Sequence, residues 1–140
     1  MKNFLLYVWQ LPQHLLALAL IQLLGATKTM QPQTGIIYWF YKPKNRFSEF
    51  ISGISLGNYI IVKTKNETTI RHENGHSFQS LYWGPLYLLV VGLPSVVFNN
   101  LWDRLFHKNW TQEKRQRWYF SRYPEKQADR LGGVERLQCS

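Results

Sequence analysis

At 140 residues the chain has the length of a single domain, and an apolar content of 45% supports a modest core. Its one cysteine, Cys139 beside the C-terminus, excludes an internal disulfide framework and a thiolate metal cage. The formal net charge of +9 raises nucleic acid as a partner, but the basic residues run from Lys28 to Arg136 without a groove-reading motif, so none is expected; with 16% aromatics an anionic membrane surface is the better counterpart.

Between Lys2 and Lys28 no residue carries a formal charge. The runs Phe4-Leu5-Leu6-Tyr7-Val8-Trp9 and Leu15-Leu16-Ala17-Leu18-Ala19-Leu20-Ile21 together have the length of a bilayer span, about 20 residues, but Gln10, Pro12, Gln13, His14 and Gln22 interrupt them. Residues 1–27 are read as an N-terminal apolar helix and a candidate membrane anchor, tilted, broken at the proline or lying in the interface. A signal peptide and a buried soluble helix are the competing readings. Sixteen of the seventeen Lys and Arg residues follow this segment, which for a spanning helix places residues 28–140 in the cytoplasm.

Gln31-Pro32-Gln33-Thr34-Gly35 reads as a linker and Ile36-Ile37-Tyr38-Trp39-Phe40-Tyr41 as a strand, being β-branched and aromatic. Lys42-Pro43-Lys44-Asn45-Arg46 is a basic turn. Ile54 to Val62 reads as a second strand, bulged or bent at Gly57-Asn58.

Ile70-Arg71-His72-Glu73-Asn74-Gly75-His76-Ser77 contains His-Glu-x-x-His. On a helix the two imidazoles leave one face a turn apart and can share a metal ion, while Glu73, roughly 100° round, reaches a metal-bound water without being a ligand. That is the chemistry of a zinc hydrolase, with Glu73 as general base. Asn66 or Thr68 caps this helix and Gly84-Pro85 stops it. Gly75 leaves room for another backbone to pass behind the metal.

Ser77 to Trp102 is a second run without charge. A straight span would part His76 from later ligands by about 30 Å, so two short helices are predicted, about 85–92 and 94–106, folded as a hairpin at Gly92-Leu93-Pro94. Asp103 to Arg122 interleaves Arg and Lys with Trp, Tyr and Phe, as suits a headgroup region or an ordinary solvated helix.

The candidate for a third ligand lies in Tyr123-Pro124-Glu125-Lys126-Gln127-Ala128-Asp129, which opens on proline and ends at Gly132-Gly133. Glu125 and Asp129 share a face at i, i+4. Glu125 can ligate zinc, and Asp129 can accept the free ring N–H of a zinc-bound histidine. The tail after Gly133 is expected to fray.

His72-Glu73-x-x-His76 followed by Glu125-x-x-x-Asp129 resembles the gluzincin zinc metallopeptidases, and the local Glu-x-x-Ala-Asp form is similar to the integral-membrane zinc peptidases that process prenylated proteins or act in membrane quality control. The resemblance implies His72, His76 and Glu125 as ligands, Glu73 as base and Asp129 as the residue orienting a ligand. It also implies an edge strand that aligns substrate, for which Ser55, Leu56 and Gly57 are the candidates. The oxyanion-steadying residue of those enzymes has no clear match; His107, Tyr119 and Tyr123 are the candidates.

The expected fold is α+β and mostly helical: a small zincin-like core with a short antiparallel sheet, an active-site helix, a short helical hairpin and a C-terminal ligand helix. The expected function is zinc-dependent hydrolysis of peptide bonds in a peptide or protein substrate by a membrane-associated protein. Two alternatives stand beside it: a non-catalytic protein in which zinc staples two helices, and a basic membrane or nucleic-acid binding module without metal.

Overall fold

The computed structural model describes residues 2–136; Cys139, set aside above as a ligand, lies outside them. The fold is α+β and mostly helical. Helices α1 (Lys2–Trp9) and α2 (Leu11–Leu24) meet at Gln10, one residue before the turn that holds Pro12, and α2 ends on Gly25, whose φ of 62° closes the helix in the left-handed region. The apolar N-terminal segment is thus broken near its proline.

Four strands follow: β1 (Thr27–Met30), β2 (Ile37–Phe40), β3 (Gly53–Leu56) and β4 (Tyr59–Val62). Helix α3 (Arg46–Phe50) lies between β2 and β3, on the stretch read from sequence as a basic turn and its sequel; Asn45 and Ser48 form a reciprocal capping box there. The sheet order is β1-β2-β4-β3, with β2 and β4 parallel and the other pairs antiparallel. The sheet is therefore mixed, not antiparallel as expected. The reason is the crossover through α3 and β3, which returns β4 beside β2 in the same direction. Its run Ile60-Ile61-Val62 is almost wholly buried, as a central strand requires. The single strand expected over 54–62 is instead a hairpin: Gly57, at φ 63°, takes the first of two turn positions, where the left-handed backbone favours glycine. This leaves β3 as one edge strand of the sheet, with β1 at the other.

Helix α4 (Glu67–Trp83) lies against β3 and β4, capped by the Asn66 side chain, which accepts from Thr68 N and Thr69 N. After a break at Gly84 (φ 51°), the backbone is helical from Pro85 to Phe106, through wide π-type turns at Leu88–Gly92 and Pro94–Leu101 and then α5 (Trp102–Phe106). Leu93 keeps helical angles, φ −62° and ψ −48°, so the expected hairpin at 92–94 does not form. The wider turn carries Pro94 without the clash that breaks a tighter helix. The reversal comes one step later, at 107–111. Helix α6 (Gln112–Phe120) then runs back along the Ser95–Asp103 stretch, with Arg115 on Asp103 and Tyr119 against Asn100. Helix α7 (Glu125–Gly132) packs on α4.

Candidate metal centre

Helices α4 and α7 approach at backbone distance. A Cβ on Gly75 would sit 1.9 Å from the Ala128 carbonyl oxygen, and one on Gly132 would sit 2.0 Å from that of Arg71. Two glycines and an alanine thus bring the Glu125–Asp129 face of α7 onto the His72–His76 face of α4. Glu125 Oε2 lies 3.1 Å from His72 Nε2 and 3.1 Å from His76 Nε2, all three side chains being buried.

The outer hydrogen bonds fix the ring protons. His72 Nδ1 lies 2.7 Å from Asp129 Oδ1, and a carboxylate can only accept, so Nδ1 carries the hydrogen. His76 Nδ1 lies 2.7 Å from Gln79 Oε1; the Gln79 amide nitrogen donates to Pro124 O and Gln127 Oε1, so its oxygen faces the imidazole. Each Nε2 therefore faces the Glu125 carboxylate and, when unprotonated, presents a lone pair to the same point. Three acceptors converging in a buried space repel one another unless a positive charge sits among them. The spacing suits a metal ion: ligand atoms at about 2.0–2.1 Å in a tetrahedral shell lie roughly 3.3 Å from each other. His72, His76 and Glu125, whose donor atoms all fall within 4.8 Å, could hold a metal ion.

The site's electrostatics run the same way. Burial alone would lower the His72 pKa, but its hydrogen bonds to Asp129 and Glu125 and the nearby carboxylates raise it to about 9. Burial likewise disfavours the Glu125 anion, yet the bonds to His72 and His76 hold its carboxyl far below the usual range. Asp129 is held low by His72 and by Arg136, which donates to it at 2.6 and 3.0 Å. Arg136 also lies over the Phe120 ring, so the tail expected to fray after Gly133 is held at this residue; positions 137–140 of it lie outside the described residues.

A pH dependence follows. A folded-state pKa of about 9 against 6.5 means His72 stabilises the metal-free fold fully below pH 6.5. That contribution, on the order of 3 kcal/mol, is lost as pH rises towards 9. A metal displaces the same proton, so its affinity rises across that window. Thermal melts with chelator should therefore fall in midpoint between pH 6.5 and 9, while zinc-loaded melts hold or rise; parallel slopes would contradict the assignment.

Glu73 is buried against β3. The Ser55 hydroxyl lies 3.0 Å from Glu73 Oε2 and 2.6 Å from its backbone oxygen, and a Cβ on Gly53 would meet Glu73 Oε1 at 2.3 Å. Glycine at position 53 thus provides the space that the carboxylate fills. Glu73, His72, His76 and Glu125 line one cavity of about 1090 Å³. Among the substrate-alignment candidates, Ser55 and Leu56 lie on the edge strand and line that cavity, with Leu56 packed into the apolar cluster of Ala17, Tyr87 and Val91. Gly57 does not: it sits in the hairpin turn against the His14 ring, its N–H donating to Ser80 Oγ.

Among the three oxyanion candidates only Tyr119 lines the cavity, its hydroxyl accepting from Asn100 Nδ2 at 3.3 Å. Burial, then the Glu125 charge, pushes that phenol well above its ordinary pKa, so it stays a proton donor. His107 is instead stacked on Trp110 at 3.8 Å and bonded to Asp103, where it closes the 107–111 turn. Tyr123 is exposed and donates to Val90 O. Neither lines the cavity.

Gln79 and Ser95 were missed in the sequence. Gln79 follows His76 by three residues and so shares its face, a readable signal. Ser95 donates to Glu125 Oε1, and Asn99 to Tyr123 O; the cue was the rare polar residue within an apolar run.

Comparison with protein-family models, curated proteins and solved structures gives no match.

Proposed function

We propose that this chain is a zinc-dependent peptidase of gluzincin type, with His72, His76 and Glu125 as ligands and a zincin-like core formed by α4, α7 and the edge strand β3. The observation that supports it above others is the convergence of three buried acceptors whose outer hydrogen bonds leave both Nε2 lone pairs free for a cation. Oxygen and nitrogen donors in this number favour zinc and leave room for a water. When bound, zinc supplies an acidified water and a positive centre for the scissile carbonyl.

The protein's own groups do the rest. Glu73, one residue after the first ligand, takes the proton from the attacking water and later returns it to the leaving amine. Ser55 and Gly53 hold its carboxylate in place. Tyr119, protonated and at the cavity wall, is placed to donate to the developing oxyanion. The Asp129 and Gln79 bonds keep both imidazoles in the ligating tautomer. Leu16, Leu88, Leu93 and Val96 face the same cavity, which favours apolar residues beside the scissile bond.

Metal removal tests this reading. The full chain, supplied with zinc, should hydrolyse an unfolded apolar peptide; chelator should abolish turnover and added zinc restore it. Turnover indifferent to chelation would refute the proposal.

A further inference from the structure

The two apolar helical stretches are inside out. On α2 and at its start the polar residues face the protein: Ser80 Oγ donates to Gln10 Oε1, the Gln13 amide reaches Gly84 O, and the Asn58 N–H is directed at His14 Nε2. Gln10, Gln13 and His14 are all fully buried, while Leu15 and Leu23 are 60% and 69% exposed. The stretch from Leu86 to Phe106 repeats this pattern. Asn99 and Asp103 turn inward, whereas Leu89, Phe98, Leu105 and Phe106 are each more than half exposed. In water such an arrangement exposes apolar area that folding had the opportunity to bury. It is the arrangement expected where the surroundings are hydrocarbon.

The ends of these stretches supply the complementary charge. Leu23 and Leu24 share a small cavity with Lys42, Lys44 and Phe47, and the Arg104 guanidinium lies 3.9 Å from the centre of the Phe50 ring. The C-terminal ends of α2 and α5 therefore both reach α3. Exposed Leu23 and Phe47 stand there with Lys42, Lys44, Arg46 and Arg104, and exposed Phe106 and Lys108 follow in sequence at the end of α5. The neighbouring acid, Glu49, is bonded to Lys63.

Among the described residues no helix is long and apolar enough to cross a membrane. Helix α2, with 14 residues, extends about 21 Å, short of a hydrocarbon core of about 30 Å.

We infer that the outward faces of α2 and the Leu86–Phe106 stretch form one surface that embeds in a single leaflet of an anionic bilayer, with the lysines and arginines around α3 at the headgroups. The cavity that holds the proposed metal is walled by Leu16 on the α2 side and Leu88 to Val96 on the other, so it lies between the two embedded elements. The inference does not depend on hydrolysis.

Flotation of the full chain tests it, with vesicles of phosphatidylcholine alone or mixed with phosphatidylglycerol. The chain should float with both and more strongly with the anionic mixture. Lys44→Glu with Lys108→Glu should weaken binding to the anionic vesicles by about fivefold or more per site and leave neutral vesicles nearly unaffected. Leu15→Gln, Leu18→Gln and Leu89→Gln together should weaken both by at least tenfold or so, with helix content by circular dichroism unchanged. Three results would overturn it: no flotation, flotation insensitive to both sets of substitutions, or self-association without vesicle binding, which would make a second copy the occupant of this face.

Discussion

Glu73→Gln should abolish turnover while leaving zinc content at the wild-type level. The side chain is buried between α4 and β3, where Ser55 Oγ lies 3.0 Å from one carboxylate oxygen and glycine at position 53 makes room for the other. Glutamine has the same shape and still accepts from Ser55, so the fold and the three ligands are undisturbed. What disappears is the basic oxygen, and removing a positioned general base costs about 10²- to 10⁴-fold in rate. Peptide hydrolysis measured beside metal content separates an enzyme from a zinc staple. Turnover within a few-fold of wild type would remove Glu73 from the chemistry.

Gly75→Ala should be among the most damaging single substitutions in the chain. The new methyl would lie 1.9 Å from the Ala128 carbonyl oxygen, which belongs to backbone and cannot swing aside. Helix α7 must shift, and with it Glu125, from a site where three donor atoms need to stay within a few tenths of an ångström. Loss of about 1–3 kcal/mol or more is expected from overpacking, together with at least a tenfold loss in zinc affinity. Gly92→Ala is the control. Its Cβ would meet nothing closer than 3.9 Å, and the change should be neutral or slightly stabilising. Chemical denaturation of the two variants measures the difference; equal stabilities would mean that close approach of α4 and α7 is not required.

The parts legible in the sequence were those governed by local chemistry. A cap of α4 at Asn66 or Thr68 (it is Asn66), Gly84-Pro85 as its end, and Gly75 as the place where another backbone passes could each be read from local conformational preference. The i, i+4 pairing of Glu125 with Asp129 is likewise helix geometry, and both carboxylates do turn toward α4. What failed depended on distant partners. The parallel β2–β4 pairing is decided by the path of the chain through α3 and β3, which no single strand's composition reveals. At Gly92-Leu93-Pro94, breaker residues suggested a reversal, but wide helical turns accommodated them. The requirement behind that expectation, that the chain return toward His76, is met at 107–111 by a turn that His107, Trp110 and Asp103 close together. The polar residues scattered through the two apolar runs looked like impurities in a membrane helix. They are the inward faces of those helices, visible only once Ser80, Gly84 and Tyr123 are seen to be their partners.

The central claim is that residues from the middle and the end of the chain share one metal ion. Metal analysis of the purified full chain after zinc loading and exhaustive dialysis, beside His76→Ala and Glu125→Ala, tests it most directly. One zinc per wild-type chain and near-complete loss in both variants, with helix content preserved, is the predicted result. Stoichiometric zinc retained by Glu125→Ala, or none bound by the wild type, would contradict it.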